Sequence, residues 1–152
     1  DNRDLHSFPT RRSSDLRTPM CWDASPGAGF TTGEPWLEIN ANHDRINVAQ
    51  ASADPNSVLQ HYRRLIAMRH ESAVVRDGVF ELLLPDDEEL FCFTRTLGAE
   101  KLLVMANWSA RPVPWPADVP DLSGARLVLG THPEPGDVLA GWESRVYALP
   151  VG

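Results

Sequence analysis

The chain has 152 residues, 42% of them apolar, and a formal net charge of −7. That length holds one ordinary domain, or a small domain beside part of another, and the apolar content argues against wholesale disorder. The acidic balance counts against a nucleic-acid surface, which relies on clustered Lys and Arg, and no apolar run reaches the roughly 20 residues that cross a bilayer.

Residues 1–16 do not read like the remainder. Their three Arg and three Asp cancel, so the whole −7 belongs to residues 17–152. His6-Ser7-Phe8-Pro9-Thr10-Arg11-Arg12-Ser13-Ser14-Asp15-Leu16 carries no fold signal. These letters resemble one reading frame of a common sequencing-library adapter, and Asp4-Leu5 echoes Asp15-Leu16. Arg11-Arg12-Ser13-Ser14 alone would suggest a phosphorylatable basic tail, but the adapter reading is preferred. The expectation is an artefactual, disordered stretch, with the native sequence starting at Arg17. The segment has no apolar h-region and is not a secretory signal.

Residues 17–56 read as loop. Pro19, Pro26, Pro35 and Pro55, with Gly27, Gly29 and Gly33, interrupt any period. A structureless run of this length inside a domain is commonly functional. Trp22, Phe30 and Trp36 are expected to pack on one another as a small core of the loop, in preference to stacking on a ligand.

Asp54-Pro55-Asn56-Ser57 then reads as a helix start, with Asp54 as N-cap and Pro55 in the first turn. Val58, Leu59, Tyr62, Leu65 and Ile66 make one apolar face of a helix spanning 55–70, and Gln60, His61, Arg63 and Arg64 face away. Such a face needs a partner surface.

Beyond Ala73 the period shortens. Runs at 79–84, 90–97, 101–108, 111–115, 126–130 and 144–149 are rich in β-branched and aromatic residues, and turn residues separate them. That spacing predicts an antiparallel β-sandwich. Asp86, Asp87, Glu88 and Glu89 fall between two runs, where a solvated hairpin turn outweighs metal binding. His61, His70 and His132 lack ligand spacing. Cys21 and Cys92, the two cysteines, are expected as reduced thiols of a cytoplasmic protein.

Arg17-Thr18-Pro19-Met20-Cys21-Trp22-Asp23, followed by Ala28-Gly29-Phe30-Thr31-Thr32-Gly33 and Pro35-Trp36, resembles a substrate-side loop of the α-glucosidases and oligo-1,6-glucosidases of glycoside hydrolase family 13. The resemblance extends over residues 17–149. It is strong through Ile46-Asn47-Val48 and weaker in the strands, where Glu143-Ser144-Arg145-Val146-Tyr147 looks like the closing strand. It implies that residues 17–77 are the last loop and helix of a (β/α)8 barrel, and that residues 78–152 are a C-terminal antiparallel β-sandwich.

The implied parent is a retaining α-glucosidase acting on α-1,4- or α-1,6-linked glucosides, without a redox cofactor and with a structural calcium left open. Retaining hydrolysis needs two carboxyl groups about 5–5.5 Å apart. The family holds them on barrel segments ahead of the Arg-Thr-Pro-Met loop, so no catalytic residue is assigned here and the chain alone is expected to be inactive. Asn42-His43-Asp44 spells a family motif but follows that loop, out of place for catalysis at barrel strand ends. Arg17 is the one substrate-binding candidate. Its counterpart is expected to reach the non-reducing glucose, a task that suits a planar fork of donors. Cys21 stands where most relatives have Gln, which puts the loop's support in question.

Two alternatives remain. One is another parent of the same clan: trehalose-6-phosphate hydrolase, sucrose isomerase or trehalose synthase. The other is a non-catalytic sugar-binding or interaction module, for which the strand region offers Trp108, Trp115 and Trp142.

Overall fold

The computed structural model describes residues 18–132 and 136–150. Arg17 lies outside the described residues, as does the stretch 1–16 expected to be disordered. The chain divides into two compact units, Asp1–Tyr62 and Arg63–Gly152, and the division falls inside a helix.

In the first unit, residues 18–47 form no helix or strand, yet hydrogen bonds hold them. The amides of Trp22 and Asp23 both donate to the Ala28 carbonyl, at 2.8 and 3.3 Å, and the Ala28 amide donates to Ser25 at 2.7 Å. This tight ring needs a left-handed backbone at Ala28 (φ 53°) and Gly29 (φ 64°), a region that disfavours any residue with a β-carbon. At Gly27 a β-carbon would collide with the Thr31 carbonyl oxygen.

A short helix, α1 (Val48–Ala53), follows. The Asn47 side chain caps it by accepting from the Gln50 amide at 2.9 Å, and donates to the His43 carbonyl at 2.8 Å. A helix start leaves its first amides without intrahelical partners. Here Val48 and Ala49 donate to the Cys21 and Trp22 carbonyls at 3.0 and 2.9 Å. The motif loop and the start of α1 therefore satisfy each other. This corrects the expectation of unbroken loop over 17–56. A six-residue helix with no buried residue leaves no apolar period to read.

The long helix, α2, spans Val58–Glu71, and its cap is Ser57 in place of Asp54. The Ser57 hydroxyl accepts from the Gln60 amide at 3.2 Å and donates to the Ala51 carbonyl. Asp54 instead closes α1, its amide donating to Gln50 at 3.1 Å. Both residues are good N-caps, and packing of the two short segments decides between them. None of α2 is buried, and Val58, Tyr62 and Ile66 of the predicted apolar face are exposed.

The second unit continues through α3 (Ala73–Asp77) into β1 (Val79–Leu82), β2 (Leu90–Leu97) and β3 (Glu100–Asn107). Next come β4 (Val113–Pro114), β5 (Arg126–Gly130), β6 (Val138–Leu139) and β7 (Ser144–Ala148). One antiparallel sheet runs β1-β2-β3-β7-β5, and β4 and β6 form a second, two-stranded sheet. The β2–β3 hairpin turns on Gly98 and Ala99 between the paired Leu97 and Glu100. Gly98 takes φ +57°, the backbone that such a short hairpin loop requires.

Strand alternation sorts the residues. Leu90, Cys92, Leu103 and Met105 face the small sheet's Leu139 and Val113, with Trp115 and Tyr147 packed alongside. Leu102 and Val146 face the other way, onto Val74 of α3. The expected run at 111–115 shortens to a two-residue strand ending in Pro114, and β6 was not foreseen, since two residues carry no pattern. The mainly antiparallel class expected from strand spacing is the one observed.

Beside the first core lies a buried ion pair. Arg145 donates to both Glu143 carboxylate oxygens at 2.6 and 2.9 Å, and to the Gly136 and Val138 carbonyls at 2.7 and 2.6 Å. Glu143 also accepts from the Ala140 amide at 2.7 Å. Burial pushes the Glu143 carboxyl up, but the Arg145 and Ala140 donors outweigh it and hold its pKa below the ordinary value. Among the described residues, no buried side-chain polar atom lacks a hydrogen bond.

Candidate functional site

The first unit presents a hollow of about 400 Å³ on its motif loop. Thr18, Met20, Phe30, Glu34 and Trp36 contribute to its wall. The loop that forms it is fixed at three points. The Asn40 amide donates to the Thr18 hydroxyl at 3.2 Å. The Gly29 amide donates to the Ser25 hydroxyl at 2.9 Å, and Asp23 accepts from Ser25 through both amide and hydroxyl. Those Ser25 bonds hold the Asp23 carboxyl below its usual pKa. Asp23 therefore stays ionised as the brace of the ring at 22–31.

The aromatic residues do not form the expected small core. Trp22 and Phe30 are about half exposed and Trp36 is 90% exposed. The buried residues among 18–62 are Pro19, Ala28 and Asn47. The loop is stabilised by main-chain and cap hydrogen bonds, so its rings remain outside. Flat apolar faces beside the polar Thr18, Thr31 and Glu34 suit a ligand with alternating C–H faces and hydroxyls, such as a pyranose ring. Glu34 and Met20 went unassigned in the sequence, although Gly33-Glu34-Pro35-Trp36 adjoins the motif.

Cys21 is half-buried, with its thiol 3.8 Å from the Pro19 carbonyl oxygen. Its carbonyl, which any residue would supply, carries the contact to α1. Asn42-His43-Asp44 lies in a turn. The His43 ring nitrogen is 3.0 Å from the Asn40 carbonyl oxygen, and Asp44 forms an exposed 3.9 Å ion pair with Arg45.

In the second unit, the acidic run 86–89 is a turn in which Asp87 accepts from the Glu89 and Leu90 amides at 2.9 and 2.8 Å. Glu89 takes a two-pronged ion pair from Arg111, 2.7 Å at each contact. Trp115 stands edge-on to Tyr147, 5.8 Å between centroids, while Trp108 and Trp142 are exposed. Burial raises the Cys92 thiol to about 11, so it stays protonated. Among the described residues, no group of three or more His, Cys, Asp or Glu is placed to hold a metal ion. Among them, too, no helix is long and apolar enough to cross a membrane.

Residues 1–78 match the family model for the alpha amylase catalytic domain. The matched range takes in the stretch 1–16 whose letters resemble an adapter. The oligo-1,6-glucosidase of Heyndrickxia coagulans is 44% identical over 137 residues, covering 89% of this chain and 24% of that protein. The trehalose-6-phosphate hydrolase of Escherichia coli strain K12 is 40% identical over 121 residues, 77% of this chain and 22% of that protein. The crystal structure of Bacillus licheniformis trehalose-6-phosphate hydrolase superposes with a TM-score of 0.77 at 32% identity, covering 90% of this chain and 26% of that one. The chain thus spans about a quarter of the length of these relatives. With its motif loop, its antiparallel sheet and more than half its length matched, the chain belongs to the alpha amylase family, glycoside hydrolase family 13.

Proposed function

We propose that this chain is the C-terminal part of a retaining α-glucosidase of the oligo-1,6-glucosidase type, which hydrolyses α-1,4 or α-1,6 glucosides in the cytoplasm. Residues 17–77 are the last loop and helix of its (β/α)8 barrel, residues 78–152 its C-terminal β-sandwich, and residues 1–16 a foreign stretch. The catalytic carboxylates belong to the missing part, so the chain alone has no hydrolase activity. Arg17 heads the motif in sequence and binds the non-reducing sugar, and the exposed rings of Phe30 and Trp36 wall the hollow on the motif loop. The observation that carries this reading is the motif loop itself, rigidly tied to α1 yet holding its aromatic rings in solvent.

The E. coli and B. licheniformis relatives favour a second reading within the clan, a trehalose-6-phosphate hydrolase. One experiment separates the two. Residues 17–152 replace the matching C-terminal quarter of the H. coagulans oligo-1,6-glucosidase, and the fusion is assayed on isomaltose, maltose and trehalose 6-phosphate. Cleavage of the first two is expected. Arg17→Ala should then lower kcat/KM by about 10- to 100-fold, the worth of one or two hydrogen bonds from a charged donor. An active fusion indifferent to Arg17→Ala would remove Arg17 from the site. Hydrolysis by the unfused chain would overturn the assignment of catalysis to the missing part.

A further inference from the structure

Asn42-His43-Asp44, out of place for catalysis, lies in a segment whose two ends brace the motif loop. The His43 and Ile46 amides donate to the Asn40 and Asn42 carbonyls at 3.0 and 2.9 Å, which folds this segment into consecutive turns. At one end the Asn40 side chain donates to the Thr18 hydroxyl at 3.2 Å. At the other end both polar atoms of the Asn47 side chain are engaged. Its amide donates to the His43 carbonyl at 2.8 Å, and its oxygen accepts from the Gln50 amide at 2.9 Å. The second bond starts α1, whose first amides, Val48 and Ala49, donate to the Cys21 and Trp22 carbonyls. Both braces therefore close on the stretch 18–22, where Thr18 and Met20 wall the hollow. Helix α1 buries none of its residues, so apolar packing does not account for its place. Asn47 is the buried polar residue of the stretch 18–62.

We propose that Asn47 is a positioning residue for sugar binding, which sets the wall of the hollow through α1 while standing outside that wall itself. The inference rests on the reading under Proposed function and adds what fixes the geometry of the binding loop. The path is short. Asn47 orders the first turn of α1, that turn aims two amides, and the two amides hold the carbonyls on either side of the Cys21–Trp22 peptide bond. The stretch has almost no apolar core to restore its place once such a bond is lost. Binding groups tolerate little movement, since a displacement of about 1 Å is enough to spoil their alignment.

The test compares Asn47→Ala with Asn47→Asp in the glucosidase fusion described above and in the 152-residue chain. Aspartate keeps the oxygen that starts α1 and gives up the donor to His43. In the fusion, Asn47→Ala should raise KM for isomaltose about fivefold, the equivalent of one lost helix cap. Its kcat should change by less than about twofold, because the loop holds substrate and transition state alike. Asn47→Asp should bring KM most of the way back. In the separate chain, amide exchange should speed at Trp22 in Asn47→Ala and stay slow in Asn47→Asp. A role in stability alone would lower the Tm and the folded fraction but leave the KM of the folded enzyme unchanged. That result, or an aspartate variant no better than alanine, would overturn the proposal. Exchange keeps the two readings apart. An inactive wild-type fusion would sink the functional reading, and the positioning role would then stand on faster exchange at Trp22 in Asn47→Ala. Unchanged exchange there would overturn it with or without activity.

Discussion

The two units hold themselves together by opposite means. Residues 18–62 bury only a proline, an alanine and an asparagine, and rely on reciprocal bonds between the motif loop and α1. Residues 63–152 bury Leu103, Met105, Cys92 and Leu139 between two sheets, with an ion pair sealed beside them. The first arrangement leaves aromatic rings free at a surface; the second spends its apolar residues on stability. A loop whose shape is held by main-chain and cap bonds keeps its aromatic rings free for other contacts.

The sharpest break of this contrast lies in the ion pair. Arg145→Ala leaves Glu143 buried without its cation and should destabilise the sheet unit by about 3–5 kcal/mol. Urea unfolding followed by the fluorescence of Trp115 measures it. A loss below about 1 kcal/mol would mean that the pair is not sealed from water.

Acid probes the same pair without mutation. The Glu143 pKa is lowered in the folded chain from an ordinary value of 4.5. Its contribution is therefore fully present above about 4.5 and drains away as pH falls through the lower folded value. Unfolding midpoints should drop over that acidic window, and Glu143→Gln should flatten the drop. An unchanged acid limb in Glu143→Gln would contradict the assignment.

The loop unit should answer to a smaller and local change. Asn47→Ala removes the cap of α1 and the bond to His43, a loss of about 1 kcal/mol. Hydrogen exchange should speed at residues 48–53 and stay unchanged in β2 and β3. Spread of the effect into those strands would show that the units are coupled. The smallest effect is expected at Trp36→Ala, within about 0.5 kcal/mol in stability because the ring is almost wholly in solvent. In the fusion the same substitution should raise KM; an unchanged KM would leave the ring without a role.

The sequence alone settled the family and the broad class. The motif from Arg17 to Trp36 carried the resemblance, and the runs at 90–97 and 126–130 match β2 and β5 in extent. Both signals are local, so a single chain shows them. Strand alternation in β2 follows directly from pleating, which sends successive side chains to opposite faces. What only the tertiary structure decided depends on distant partners. Whether Asp54 or Ser57 caps α2 turns on the reach of Ser57 to Ala51. Trp115 is covered and Trp108 is not, although both follow strand-like runs, because Tyr147 and the small sheet stand over one and not the other. The motif spelled out its aromatic residues but not their exposure, since burial belongs to the surroundings and not to the residue.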